Sequence, residues 1–294
     1  MNILLTGITG FLGSHLSKQI LDKGYKLIGV KRFSSNLDKL YSMVDKNDPR
    51  LTIVNNTDNL CDIMSESKIS LIIHTATIYD SGDDVTFDDV LEANELFPLK
   101  FLTYAFYNSI PFINCHSSLP NFTNRYIVAK NNFLNWGLYY RQQSESFKFV
   151  NLEIEHFYGY KDGRFIEYLI TSLLQQKQNI DLTLGEQNRD FIYIDDLVDI
   201  FMLIINKLNL LELEYYDIPV GSGTAISIKD LAILVKKIIN NNTTNLNFGA
   251  ISYRKNEPMK LEADVSTLKK LGWSPKFSLE SGIRACVSKY DSEH

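Results

Sequence analysis

Cysteine is scarce: Cys61, Cys115 and Cys286 are the only three in 294 residues. The count is odd and no two stand at metal-ligand spacing. Neither a disulfide framework nor a metal site is expected, and a reducing, cytoplasmic compartment fits. Long apolar runs are missing too, since none approaches the roughly 20 residues that span a bilayer. The apolar opening MNILLTGITGFLGSHL has no basic leader and no cleavage signal, and it contains three glycines, so it reads as strand and turn rather than as a targeting segment. There is no excess of positive charge. Thirty Lys and Arg against 35 Asp and Glu give a formal net charge of −5, which argues against a nucleic-acid surface. No internal repeat is visible. What remains is an ordinary globular composition, 45% hydrophobic and 22% charged, in a chain long enough for one large domain or two unequal ones.

Short apolar runs alternate with amphipathic stretches through the first half. Strands are expected at 2–7, 26–30, 51–54, 70–76, 111–117 and 147–154, with helices at 11–24, about 90–108 and about 126–142. Continuous apolar strands separated by helices predict a parallel sheet covered on both faces, an α/β, Rossmann-type doubly wound architecture. After about Glu155 the rhythm changes. An apolar strand is expected at 214–220, and a helix at 227–239 begins on a capping Ser227. These features predict a second, smaller α+β lobe for the substrate, 157–294, beside a cofactor-binding domain of 1–156 to which 190–220 returns. Ligands of open parallel sheets bind beyond the carboxyl ends of the strands, so the site is expected between the lobes.

Gly7, Gly10 and Gly13 form G-x-x-G-x-x-G between the first strand and the first helix. Glycine allows a tight turn and a close backbone approach, and the helix N-terminus offers N–H groups and a positive dipole end to a pyrophosphate. Thr9, Phe11 and Leu12 share this turn and are expected at the cofactor. A glycine turn without a ligand is the alternative. Lys31 and Arg32 stand at the end of the second strand, where an NAD-binding unit places Asp or Glu. A carboxylate there would repel a 2′-phosphate, whereas Arg pairs with it through two hydrogen bonds. NADP(H) is therefore expected, with a solvated pair of charges as the alternative. Asp58 is a candidate for the adenine edge.

Tyr126 and Lys130, four apart in a helical stretch, share one helix face. With TGITGFLGSHL (6–16), IIHTAT (72–77), NELFPLKFL (94–102), NCHSS (114–118), FYG (157–159), GEQNRDFIYIDDLV (185–198) and LKKLGWSPKFSLESGI (268–283), nearly the whole chain resembles the extended short-chain dehydrogenase/reductase family of nucleotide-sugar enzymes. Within it, EHFYGYKDG, GEQNRDFIYIDDL and FGAISYRKNE are most similar to CDP-sugar 4-ketoreductases of the CDP-abequose synthase type. The resemblance implies that Tyr126 is the proton donor, Ser117 a hydrogen-bond donor to the substrate carbonyl, and Lys130 a partner of the nicotinamide ribose. A phenol titrates near ~10, and a nearby ammonium is expected to lower that value and ease proton delivery. The resemblance also implies that Thr75, Ala76, Thr77, Asn94 and His156 lie at the cofactor, and Ser118 and Phe165 at the substrate. Arg189 and Arg254 would hold the nucleotide diphosphate, with structural ion pairs to Asp190 and Glu257 as the alternative. Relatives of this kind often dimerise through the helices at 90–108 and 126–142, so a homodimer is expected.

Several reactions share the scaffold. By that resemblance, a 4,6-dehydratase needs an Asp-Glu pair just after the serine, where Ser118 and Leu119 stand here. An epimerase-reductase of the GDP-fucose synthase kind carries Cys two residues after the serine, a place again taken by Leu119. A 4-epimerase retains NAD and usually has an acidic ribose ligand, unlike Lys31-Arg32. Elimination favours an NADPH-dependent 4-ketoreductase, and the resemblance implies that its substrate is the C4 ketone of a CDP-linked 4-keto-6-deoxy or 3,6-dideoxy sugar, for surface polysaccharide. The alternative is a nucleotide-sugar 4-epimerase with bound NAD. His116 and His156 read as structural at least as readily as catalytic, and His74, which closes a buried strand, reads as a core or cofactor-packing residue rather than a base.

Overall fold

The computed structural model describes residues 1–80, 84–208 and 217–292. They fall into two compact units, Met1–Glu153 with Val198–Ile218, and Ile154–Leu197 with Pro219–His294.

The first unit is built on a seven-stranded sheet: β1 (Asn2–Thr6), β2 (Lys26–Lys31), β3 (Leu51–Asn55), β4 (Leu71–His74), β5 (Phe112–Ser117), β6 (Phe149–Ile154) and the edge strand β10 (Asp217–Val220), in the order β10-β6-β5-β4-β1-β2-β3. β1 pairs in parallel with β2 and with β4, β2 with β3, and β4 with β5. Ile3, Leu4, Leu5, Leu71, Ile72 and Ile73 have no exposed surface. Unbroken apolar strands of this kind are what a sheet buried on both faces requires. The chain lays down β1, β2 and β3 in one direction and then crosses back to place β4 on the other side of β1. Such a reversal opens a crevice at the carboxyl ends of the two central strands, where ligands bind. The Rossmann-type doubly wound expectation is met.

The helix expected at about 90–108 begins earlier and is not uniform. It runs Phe87–Leu91, then a π-helical turn Glu92–Leu96, then Phe97–Tyr107. Thr86 opens it with a capping box to Asp89. The helix Arg125–Gln143 lies where it was expected. Their aromatic residues divide. Phe101 and Phe133 join Phe112, Phe147 and Phe149 in the buried core, whereas Tyr107, Trp136 and Tyr139 are exposed.

In the second unit, β7 (His156–Tyr158), β9 (Asn188–Tyr193), β11 (Ala225–Ser227) and β13 (Lys260–Leu261) form one small sheet, and β8 (Asn179–Leu182) pairs in parallel with β12 (Asn245–Phe248). The helix Ile228–Ile239 is capped as expected: the Ser227 side chain accepts from Asp230 N at 3.0 Å. Of the strand expected at 214–220, residues 214–216 lie outside the described residues. No helix among the described residues is long and apolar enough to cross a membrane, and no group of three His, Cys, Asp or Glu among them could hold a metal ion.

Candidate active site

The glycine turn leaves β1 at the crevice. Gly7 has φ +72°, and a Cβ there would fall 2.7 Å from Ala76 N and 2.9 Å from Thr75 Oγ1. A Cβ on Gly13 would meet Gly7 O at 2.1 Å. These two glycines let the turn close against the end of β4 and let the helix Phe11–Asp22 start immediately. That helix opens on exposed Gly10 with no side-chain cap and no acidic residue in its first turn, and Ser14 N donates to Gly10 O at 2.9 Å. An uncapped helix N-terminus behind a glycine turn fits the pyrophosphate of a dinucleotide. Thr9 lies half-buried in the turn, and Phe11 and Leu12 are buried in the first helical turn.

Buried Thr6 ties β1 to β4. Its hydroxyl accepts from Thr75 N at 3.2 Å and Ala76 N at 3.3 Å, and its proton goes to His74 Nδ1 at 2.7 Å. Thr75 Oγ1 donates back to Thr6 O at 2.7 Å. Burial, helped by the Lys130 charge, holds His74 well below the usual imidazole range. His74 is therefore a neutral anchor rather than a base. At the end of β2, Lys31 Nζ folds back onto Arg32 O at 3.2 Å and Phe33 O at 3.1 Å, while Arg32 is exposed. Asp58 is exposed, and its carboxylate accepts from Asn55 N at 2.7 Å. β2 and β3 pair Lys31 with Asn55, so these residues crown adjacent strand ends.

Tyr126 and Lys130 occupy the first two turns of the helix Arg125–Gln143, which Asn124 caps by accepting from Ile127 N at 2.9 Å. Both side chains are 6% exposed. Lys130 Nζ donates to Cys115 O at 2.7 Å and stands 5.5 Å from the centre of the Tyr126 ring. The Tyr126 ring lies 5.2 Å from that of Tyr79, and Ser117 and Thr77 are near enough to act on its phenol. Ser117 ends β5, and its Oγ accepts from Leu119 N at 3.4 Å. The structure thus brings Ser117, Tyr126 and Lys130 into one cluster, with half-buried Ser118 next in the chain.

The electrostatics differ from the expectation for this pair. Burial pushes the Tyr126 phenol up, and it pushes Lys130 down to about 8. Desolvation penalises each charged form, and in this structure it outweighs the lowering expected from the ammonium. Tyr126 carries its proton at neutral pH, as a donor must. Burial also lifts the Cys115 thiol to about 12, so Cys115 is a core residue and no thiolate. His116 is lowered by burial and then by Lys130, and its Nδ1–H donates to Ser117 O at 2.8 Å.

Thr77 and Asn94 come together 17 residues apart: Thr77 Oγ1 donates to Asn94 Oδ1 at 2.5 Å. Asn94 sits in the π-helical turn with no exposed surface.

The other candidate residues belong to the second unit. His156 lies exposed on β7, its Nδ1 3.8 Å from Glu155 and its ring 5.6 Å from that of Phe191. Half-buried Phe165 begins the helix Phe165–Leu174, and Arg254 is exposed. Arg189 is buried and ion-paired with Glu257, one of the two pairings weighed as an alternative. Asp190 has different partners: it accepts from Ser222 N at 2.8 Å, Ser222 Oγ at 2.6 Å and Gly223 N at 2.9 Å. Sequence reasoning passed over Thr6 and Glu155. Glu155 is buried, with Oε2 lacking a hydrogen-bond partner; its one signal was a carboxylate at the end of an apolar strand.

The family description "NAD dependent epimerase/dehydratase family" matches residues 3–218. CDP-abequose synthase of Salmonella muenchen is 29% identical over 97% of this chain and 97% of its own length. The protein of the same name from Salmonella typhimurium is 30% identical over 98% and 97%. Among solved structures, UDP-glucuronic acid 4-epimerase from Bacillus cereus, in complex with UDP-glucuronic acid and NAD, superposes with a TM-score of 0.84 at 23% identity, covering all of both chains. At that identity the likeness speaks for the fold.

Proposed function

The chain belongs to the NAD dependent epimerase/dehydratase family, and from that premise we propose that it reduces the C4 ketone of a CDP-linked 4-keto-6-deoxy or 3,6-dideoxy sugar with NADPH. The observation that carries this reading is Leu119. It packs with Val85 against the cluster of Val90, Tyr126, Ile127 and Ala129, at the place where a dehydratase needs proton chemistry. With no acid–base pair beside it, the Ser117–Tyr126–Lys130 cluster supports addition of hydride and proton to a carbonyl.

A nicotinamide dinucleotide, held by the Gly7–Gly13 turn and by Lys130, supplies the hydride when bound. The protein does the rest. Ser117 donates a hydrogen bond to the C4 oxygen and orients the ketone. Tyr126 gives its proton to that oxygen as negative charge develops there. Burial excludes water from the transfer. Lys31 and Arg32 support NADP over NAD, because two cations at the end of β2 complement a 2′-phosphate. Arg189 and Arg254 are assigned to the nucleotide diphosphate, whose remote binding energy orients the reacting carbon. Exposed Tyr107, Trp136 and Tyr139 support a homodimer through their helices, which light scattering tests directly: a monomer at micromolar concentration removes that assignment. The product is assigned to surface polysaccharide synthesis in the cytoplasm.

The deciding experiment follows NADPH oxidation with CDP-, dTDP- and GDP-4-keto-6-deoxy sugars, with Tyr126→Phe as control. Turnover with the CDP sugar, lost in the variant, is expected. Absence of turnover together with NAD retained through purification would replace this reading with a 4-epimerase.

A further inference from the structure

Tyr79 lies in the irregular segment that follows β4, and 47% of its surface is exposed. Its ring stands 5.2 Å from that of Tyr126, tilted by 48°. Irregular surface segments are ordinarily mobile, yet this residue is fixed on both sides. On one side, buried Asn94 engages both backbone groups of Ile78: its Nδ2 donates to Ile78 O at 2.8 Å, and its Oδ1 accepts from Ile78 N at 3.4 Å. On the other side, the Asp80 carboxylate takes three N–H groups of Arg125. Oδ2 accepts from the backbone N at 3.0 Å, and Oδ1 accepts from Nε at 2.8 Å and from a terminal guanidinium nitrogen.

The helix that carries Tyr126 supplies the second of these holds. Arg125 is its first residue, so the Arg125 backbone N–H is one of the four that an α-helix leaves unpaired at its start. A carboxylate there also meets the positive end of the helix dipole. The guanidinium adds a two-pronged, charge-assisted pair. It holds the Asp80 carboxyl below the usual carboxylate range, so the pair stays charged at neutral pH. Asp80 is the residue after Tyr79, and Arg125 the residue before Tyr126. Joining them sets the two tyrosines side by side. Tyr126, 6% exposed, is the covered ring of the two, and Tyr79 is the open one.

We infer that Tyr79 is a specificity-determining residue: its exposed ring is the platform for the hexose of a nucleotide sugar whose C4 oxygen meets Tyr126, and Asn94, Asp80 and Arg125 are positioning residues that hold it. This inference rests on the nucleotide-sugar reading and deepens it. With the two rings in contact, a hexose that presents C4 to the Tyr126 hydroxyl lies within reach of Tyr79. A pyranose has hydroxyls around its edge and carbon-bound hydrogens on its faces. The negative face of an aromatic ring suits those hydrogens. Small-molecule sites are built this way, from apolar and aromatic walls with a few placed polar groups. Val85 and Leu119 extend the apolar wall beside Tyr126.

The test is calorimetric binding to the full-length protein of two probes that differ only in the hexose, CDP and CDP-glucose. Tyr79→Leu is expected to weaken CDP-glucose about tenfold and to leave CDP unchanged. Tyr79→Phe keeps the ring and restores the parent affinity. Asp80→Ala weakens CDP-glucose too, and combined with Tyr79→Leu it adds nothing, because its effect runs through that ring. A Tyr79→Leu protein that binds both probes like the parent overturns the inference, as does equal weakening of both. Additive loss in the double variant overturns the positioning role of Asp80. Tyr79 is exposed and its substitution is tolerated by the fold, so the first comparison stands even if Asp80→Ala does not fold. The matching dTDP and UDP pairs serve if the cytidine pair does not bind, and a protein that binds no pair overturns the inference. Binding needs neither ketone nor hydride, so failure here is distinct from failure of the ketoreductase reading.

Discussion

Both units bury polar groups, and they satisfy them in opposite ways. In the second unit, Asp190 receives the N–H groups of Ser222, Gly223 and Ala263, and Asp196 receives those of Lys276 and Phe277. These carboxylates are staples: each gathers backbone donors of a loop that would otherwise be left unpaired at depth. In the first unit, the buried groups near the switch point bond largely side chain to side chain or through one carbonyl, as in Thr6 with His74, Thr77 with Asn94 and Lys130 with Cys115 O. Burial also moves the Tyr126 and Lys130 titrations away from their ordinary values. A staple ought to show in stability, and a displaced titration in chemistry. The expected effects below set the two regions against each other.

The largest is in turnover. Tyr126→Phe is expected to lose about 10²- to 10⁴-fold in kcat while its melting temperature stays close to that of the parent. A variant that retained activity would break the assignment of proton donor. Next is Asp190→Ala, which leaves several buried N–H groups unpaired and is expected to destabilise the fold by about 3 kcal/mol. Denaturant midpoints would reveal this, and turnover per folded molecule should change little. If activity fell and stability did not, the contrast between the units would fail.

The third effect is on pH. Lys130 titrates at about 8 in the folded chain, so its charge, and the support it gives a developing phenolate, fades as pH rises through that value. The rate is expected to decline about tenfold per unit above it, and Lys130→Arg should move that limb upward. Stability carries the opposite sign. Between about 8 and the ordinary 10.5 the unfolded chain binds the extra proton, so this residue makes the fold more stable as pH rises across that window. The smallest effect is on cofactor choice. Arg32→Asp is expected to shift the ratio of NADPH to NADH Michaelis constants about tenfold towards NADH, and equal constants before and after would remove the 2′-phosphate argument.

What the sequence disclosed was local. The glycine turn, the four-residue spacing of Tyr126 and Lys130, and the Ser227 cap depend on neighbours within a turn or two, and each stands where the pattern placed it. The parallel sheet was legible because strands buried on both faces read as unbroken apolar runs. Contacts made by sheet register were not legible. Thr6 meets His74 across 68 residues and Arg189 meets Glu257 across the same separation, and no periodicity announces either. The π-helical turn was hidden as well, because five residues of altered winding leave a helical hydrophobic pattern almost undisturbed. The sign of the Tyr126 displacement was missed for a third reason. Spacing shows a nearby ammonium but says nothing of depth, and depth sets the desolvation that wins.

The π-turn at Glu92–Leu96 also constrains how this protein could change. An α-helix advances about 100° per residue, so deleting one residue from that turn would restore ordinary winding and swing every following side chain around the axis by the same angle. The repaired helix would be more regular and the amide of position 94 would no longer face Thr77. Insertions and deletions in this stretch would therefore cost the buried contact between Asn94 and Thr77, and a designer who set out to idealise the helix would be removing the irregularity that places it.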